Sequence, residues 1–118
     1  MSVQTLLQAN ADRRQKLIAE AGRLASIFYA SGALDVWIFG SVATGFVTPS
    51  SDLDLAVVLS APDGGDAPGA RLQQARFLVM AAEPMVPLDL IVVRPGEIEE
   101  AIQLGDPMWQ HARKVIPK

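Results

Sequence analysis

Hydrophobic residues in the first third of the chain recur with the spacing of an amphipathic helix. Four of them fall on one helical face, at intervals of four, three and four residues: Leu17, Ala21, Leu24 and Phe28. Ser31 and Gly32 follow this stripe, and glycine tolerates the left-handed conformation in which many helices end. The pattern predicts a helix that begins near Asn10 as a candidate N-cap and ends near residue 30, with residues 3–9 as a separate or frayed turn.

Later segments alternate between strand and helix patterns. Residues 36–39, 53–59 and 88–93 carry apolar, often β-branched side chains at successive positions, which is typical of strands covered on both faces. Apolar residues at helical spacing predict a helix over residues 70–82. Residues 60–69 contain three glycines and two prolines, so we expect them to form the most mobile internal loop.

Proline and glycine indicate two further helices near the end of the chain. Pro95 suits the first turn of a helix that runs to Leu104 and ends at Gly105. Asp106 and Pro107 repeat the N-cap and first-turn chemistry, which predicts a last helix through Lys114. The order helix, strand, strand, helix, strand, helix, helix predicts an α/β fold, with a small mixed sheet of three or more strands flanked by helices.

The composition supports one domain over residues 1–118. Hydrophobic residues make up 50% of the chain, charged residues 19%, and the mean hydropathy is +0.25, all of which favour a filled core. The net charge of −3 disfavours bulk binding of nucleic acid, and the basic stretch Arg13, Arg14, Lys16 and Arg23 is interpreted as a solvated helix face. Neither a signal-peptide pattern nor an apolar window of about 20 residues is found, which predicts a cytoplasmic protein without membrane contact.

Two carboxylates stand at the start of the second predicted strand. Asp52 and Asp54 are two residues apart, so a strand places their side chains on the same face. Their like charges repel unless a divalent cation lies between them. Because the chain has no cysteine and one histidine, oxygen ligands and therefore Mg²⁺ are favoured. The alternative is that Asp52 is a turn residue and Asp54 faces water.

A third carboxylate interrupts the last predicted strand. Asp89 lies within residues 88–93 as Asp54 lies within residues 53–59, and a carboxylate inside an apolar strand is costly unless it is paired or metal-bound. A shared metal site requires Asp89 to approach Asp52 and Asp54 on one face of the sheet. The alternative is a structural salt bridge to one of three arginines: Arg71, Arg76 or Arg94.

A glycine and a serine end the first predicted strand. The backbone N–H groups and hydroxyl of Gly40-Ser41 are suited to binding a phosphate, although Gly-Ser is also a common turn. A P-loop is excluded, because Phe46 and Val47 stand where its lysine and its serine or threonine must follow. If the first two strands are antiparallel neighbours, Gly40-Ser41 meets the carboxylates at the start of the second strand.

Residues 40–55 resemble the signature of the polymerase-beta-type nucleotidyltransferase superfamily. That signature has Gly-Ser, a glycine four residues after the serine, Ser-Asp-x-Asp and an apolar strand, with a later aspartate that Asp89 matches. The resemblance covers residues 36–93, and the chain length is similar to that of the minimal nucleotidyltransferases, or MNT proteins. Many MNT proteins are encoded by a gene next to that of a HEPN-domain toxin and act as its antitoxin. This chain departs from the pattern at Thr44, where many relatives carry an arginine that contacts phosphate.

The resemblance implies a nucleotidyltransferase palm fold and the transfer of a nucleoside monophosphate, with AMP from ATP as the first expectation. Two Mg²⁺ ions would be held by Asp52, Asp54 and Asp89, which are also the implied catalytic residues. Gly40 and Ser41 would bind the nucleoside triphosphate. The implied acceptor is a hydroxyl of a partner protein such as a HEPN toxin. The alternative is an inactive binding module that neutralises a toxin by contact alone.

A partner or homodimer interface is expected at the predicted last helices. They carry more apolar residues than two short helices need against a three-stranded sheet: Ile102, Met108, Trp109 and Ile116. The alternative is that Trp109 closes the core at the edge of the sheet.

Overall fold

The first helix is longer than the apolar stripe alone predicts. The computed structural model describes residues 2–117, and helix α1 spans Val3–Ala30 without a break. The Ser2 hydroxyl caps it by accepting a hydrogen bond from the Thr5 N–H at 3.1 Å. The prediction of a separate turn over residues 3–9 and of Asn10 as the N-cap was therefore wrong. A serine at the cap position and tertiary contacts further along the helix outweigh the weak apolar pattern of this segment.

Four strands form one mixed sheet. They are β1 (Asp35–Phe39), β2 (Leu53–Val58), β3 (Leu88–Val93) and β4 (Arg113–Lys114), arranged in the order β3-β2-β1-β4. Strand β1 is antiparallel to β2 and to β4, whereas β2 and β3 are parallel. The predicted strands match β1 to β3 to within a residue at each end, and the mixed sheet flanked by helices confirms the predicted fold class.

The C-terminal segment differs from the prediction of a last helix. Only a short 3₁₀ turn forms at Pro107–Trp109, where the Asp106 side chain accepts a hydrogen bond from the Met108 N–H. The chain then extends as β4, in which Lys114 pairs with Trp37 and Arg113 with Ile38. The N-cap residues initiate a turn here, as predicted. The chain after the turn then pairs with the outer edge of β1, and these backbone hydrogen bonds stabilise a strand in place of a helix.

Three shorter helices complete the fold: α2 (Gly40–Thr44), α3 (Ala70–Ala82) and α4 (Glu97–Gln103). The loop before α3 is anchored at Asp66, which forms salt bridges with Arg71 and Arg94. No helix within residues 2–117 is long and apolar enough to cross a membrane.

The two faces of the sheet are covered unequally. Helices α1 and α3 cover one face, where the larger apolar cluster includes Leu17, Phe28 and Leu55. On the other face α4 and the 3₁₀ turn form a smaller cluster, in which the Phe39 and Trp109 rings lie 4.8 Å apart. Trp109 is buried in this cluster. The structure therefore agrees with the alternative interpretation, in which Trp109 closes the core at the edge of the sheet. The starts of β2 and β3 project polar side chains from this second face.

Candidate active site

Gly40 is in direct contact with Asp54. Strand β1 ends at Phe39, which pairs with Asp54 in the antiparallel register, so the chain turns into α2 beside the start of β2. Gly40 has a φ of +70°, and a Cβ atom there would lie 2.9 Å from Asp54 Cγ and closer still to one carboxylate oxygen. Only glycine allows both the turn and this approach. The Gly-Ser segment therefore lies beside the carboxylate of Asp54, as expected for antiparallel neighbouring strands.

Ser41 lies in the first turn of α2, immediately after this contact. Helix α2 has no side-chain cap at its start, and it ends at Gly45, whose N–H donates to the Ser41 carbonyl. The Ser41 side chain is half-buried. The segment therefore presents a hydroxyl and uncapped backbone N–H groups next to Asp54, as a phosphate-binding turn requires.

Asp89 lies beside Asp54 on the same face of the sheet. The parallel register of β2 and β3 pairs these two residues directly. Asp52 is exposed and precedes β2 by one residue, two positions from Asp54. Asp54 and Asp89 thus belong to the face opposite α1 and α3. Of the three carboxylates that the sequence analysis singled out, the structure sets these two side by side, whereas Asp52 lies just outside the strand.

The electrostatics of the three carboxylates are coupled. Burial raises the pKa of the Asp54 carboxyl above its ordinary value of 3.8, and the charges of Asp89 and then Asp52 raise it further. Within residues 2–117 no salt bridge joins Asp89 to Arg71, Arg76 or Arg94, and Arg71 and Arg94 pair with Asp66 instead. A cation bound between the carboxylates would offset this repulsion.

The side chains are not arranged as a finished metal cage. No three histidine, aspartate or glutamate side chains within residues 2–117 stand in a metal-ligating arrangement. Ligation of one cation by all three carboxylates would therefore require their side chains to move closer together. The donor set itself fits a hard divalent cation, since it consists of carboxylate oxygens.

Two arginines of α1 hold the backbone of this site, so the interpretation of Arg13 and Arg14 as part of a solvated helix face was wrong. Arg13 donates through Nε and Nη2 to the Ser51 carbonyl at 3.3 and 3.0 Å. Arg14 donates through Nε to the Val42 carbonyl at 3.3 Å. These carbonyls belong to the segments just before Asp52 and just after Ser41. The only signal in the sequence was that Arg14 continues the apolar stripe of α1 with a polar side chain.

Comparison with known proteins agrees with this geometry. A sequence profile described as a nucleotidyltransferase domain matches residues 21–114. A crystal structure of a predicted nucleotidyltransferase from Sulfolobus solfataricus superposes with a TM-score of 0.61 at 20% identity, covering 78% of this chain and 79% of that one. At this identity the likeness shows the fold alone.

A second solved structure is more distant. It is a mutant of the MntA–HpeT toxin–antitoxin pair, with a TM-score of 0.42 at 20% identity, covering 77% of this chain and 68% of that one. No curated protein is significantly similar in sequence.

Proposed function

Because the chain belongs to the nucleotidyltransferase domain family, we propose that it transfers a nucleoside monophosphate from a nucleoside triphosphate to a hydroxyl of a partner protein. The observation that carries this proposal is the contact between Gly40 and Asp54, with Asp89 abreast on the same face. This arrangement places a phosphate-binding turn next to a set of carboxylates, and within residues 2–117 these carboxylates have no cationic partner. ATP is the first candidate nucleotide.

Each predicted site residue has a role in this reaction. Gly40 and Ser41 bind the β- and γ-phosphates through backbone N–H groups and the hydroxyl. Asp52, Asp54 and Asp89 would together hold two Mg²⁺ ions. Bound metal supplies positive charge to the phosphates and lowers the pKa of the acceptor hydroxyl. Arg13 and Arg14 keep the two backbone segments in place, which fixes the distance between the phosphates and the carboxylates.

The chemical step is an in-line displacement at the α-phosphorus. The acceptor oxygen forms a bond to this phosphorus as the bond to the β-phosphate oxygen breaks, and pyrophosphate leaves. Asp89 accepts the proton of the acceptor hydroxyl, since it is exposed at the outer side of the site. The product is a phosphodiester between the nucleoside and the acceptor.

We assign the acceptor to a HEPN-type toxin, which would make this chain its antitoxin. The support is the likeness of residues 36–93 to the minimal nucleotidyltransferases. The net charge of −3 also favours a protein acceptor over a nucleic acid. Without the toxin, the site should bind Mg²⁺ and ATP but transfer little.

The test is to incubate the purified protein with α-labelled ATP and Mg²⁺, with and without the co-expressed product of the neighbouring gene. Label should pass to that product with the wild-type chain and not with Asp54→Asn. Asp63→Asn, an exposed carboxylate in the loop before α3, serves as the matched control and should leave transfer unchanged. Toxin neutralisation that survives Asp54→Asn would favour the inactive binding module instead.

A further inference from the structure

The outer edge of β3 carries unpaired backbone hydrogen-bonding groups. Among residues 2–117, strand β3 ends the sheet and pairs only with β2. The carbonyls of Pro87 and Val93 accept from β2 and its extension, so alternate residues of β3 direct their backbone toward β2. The N–H and C=O groups between them, at positions 88, 90 and 92, point outward. No lysine or proline within the strand blocks this edge.

An apolar groove runs along the same edge, on the face covered by α3. One cavity of about 430 Å³ lies between α3 and the start of β3, and a second of about 220 Å³ continues toward Val92. Leu72 and Met80, which are 56% and 79% exposed, line the larger cavity, and Arg76 and Asp89 also border it. A groove of this size has room for side chains of a bound segment.

The opposite side of the same strand faces the candidate active site. Side chains alternate along β3, so Leu88 and Leu90 point into the α3 face while Asp89 points toward Asp54. The strand therefore presents apolar pockets on one side and the reactive carboxylates on the other. An extended chain has the same two-residue alternation.

We propose that the β3 edge binds an extended segment of the acceptor protein as an added strand, with the reacting hydroxyl residue abreast of Asp89 and an apolar residue on each side of it. This inference rests on the proposed function and deepens it by naming how the acceptor is recognised. Directly opposed residues of neighbouring strands have Cβ atoms about 5 Å apart, which brings the hydroxyl to Asp89. The two flanking side chains then enter the groove beside Leu72 and Met80.

Charge makes the recognition selective. Residues of the added strand that share the face of Asp89 lie beside the Asp54–Asp89 pair, so acidic residues there are disfavoured. The recognised segment is thus apolar, hydroxyl, apolar, with neutral or basic residues beyond. Its hydroxyl proton goes to Asp89 and its oxygen to the α-phosphorus of the nucleotide, with pyrophosphate leaving.

The test uses the full chain and a fluorescent peptide, Lys-Val-Thr-Leu-Tyr-Leu-Thr-Val-Lys. Binding is measured by anisotropy without nucleotide, and AMP transfer to tyrosine is then measured with Mg²⁺ and ATP. N-methylation of the peptide amides on both sides of tyrosine should weaken binding about tenfold or more by removing strand hydrogen bonds. The double variant Leu72→Gln/Met80→Gln should lose about as much, through lost apolar contact.

Phe77→Gln is the matched control, because Phe77 is 74% exposed on α3 but does not line this groove. It should bind and modify the peptide as the wild type does. Equal binding of the methylated peptide, or no loss in the double variant, would overturn the inference. So would a dimer in solution that the double variant converts to monomer, since a second copy would then cover the edge. Peptide binding without AMP transfer would support the docking edge and contradict the proposed function.

Discussion

At the scale of single residues, the site depends on how Gly40 and Asp54 constrain each other. Gly40 supplies a positive φ and an empty volume, and Asp54 fills that volume with a half-buried carboxylate. The carboxylate is kept there although burial and two neighbouring aspartates disfavour its charge. An arrangement that costs stability in the free protein is typical of a site that binds a cation.

Gly40→Ala should destabilise the protein by at least about 3 kcal/mol, because the methyl group would overlap the Asp54 side chain at a strained φ. Gly45→Ala separates the two causes, since Gly45 also has a positive φ of +88° but open space around it. The Gly45→Ala control should lower the free energy of unfolding by only about 1–2 kcal/mol. Urea unfolding measures both, and equal losses would contradict the close contact.

Asp54→Asn should be more stable than the wild type at pH 7 in the absence of divalent metal. A raised folded-state pKa means that the native protein binds the proton more tightly than the unfolded chain. The contribution of Asp54 to the free energy of unfolding therefore falls as the pH rises from 3.8 through the folded-state pKa, and this contribution is constant above that pKa. The gain in the variant should shrink as the pH is lowered toward 3.8. Thermal unfolding across pH measures this, and a gain that grows on acidification would refute it.

At the scale of elements, α1 has a second role besides covering the sheet. Its central turns bury apolar residues, whereas the turn before them donates hydrogen bonds from Arg13 and Arg14 to the site backbone. Strand β4 similarly completes the outer edge of β1, where Lys114 lies over the Trp37 ring at 5.5 Å. Both elements act through contacts that are distant in sequence.

Arg13→Ala and Arg14→Ala should each cost about 1.5–3 kcal/mol, the range for hydrogen bonds that involve a charged group. Each should also weaken Mg²⁺-ATP binding, because the Ser51 and Val42 segments lose their anchor. Lys16→Ala, exposed on the same helix, is the control and should change neither quantity. Calorimetric titration and chemical unfolding of the same samples distinguish a site effect from a general loss of stability.

Trp109→Ala should cost about 3–5 kcal/mol, since the side chain is 7% exposed and packs on Phe39. Its neighbour Met108, at 48% exposed, gives the comparison, and Met108→Ala should cost less than about 1 kcal/mol. Similar small losses for both variants would mean that Trp109 is free to serve a partner interface.

At the scale of the whole molecule, exposed apolar residues lie only partly where the sequence placed them. Ile116 and Met108 are exposed, but Trp109 is buried and Ile102 is half-buried. A second exposed set lies on α3 and just after it, with Leu72 and Met80 beside the β3 edge and Phe77 and Met85 outside that groove. A surface of this kind on a small chain favours association with another protein.

We expect the protein to be isolated as a homodimer or in a stable complex with a HEPN-type partner, burying on the order of 1,200 Å² or more. Light scattering at tens of micromolar, together with co-purification of the neighbouring gene product, measures this. A strictly monomeric chain that retains no partner would remove the support for an antitoxin role. It would leave the metal-site proposal intact.

Sequence alone determined the parts of this protein in which local patterns and tertiary structure agree. Strands β1 to β3 and helix α3 follow from their apolar periodicity, and the position of Asp54 on the face opposite Leu53 and Leu55 follows from the two-residue repeat. The spacing between the Gly-Ser and Ser-Asp-x-Asp motifs could likewise be recognised in the sequence. Within residues 36–93 the local signals were consistent with the fold.

Tertiary structure alone decided the rest, because it depends on contacts between distant segments. The register that sets Asp89 beside Asp54, the hydrogen bonds of Arg13 and Arg14, and the pairing of Arg113 with Ile38 all join segments more than 25 residues apart. Backbone hydrogen bonding at an open sheet edge outweighed the N-cap signal that predicted a last helix. Local propensity is a weak preference, and the free energy of burying and pairing backbone groups overrides it.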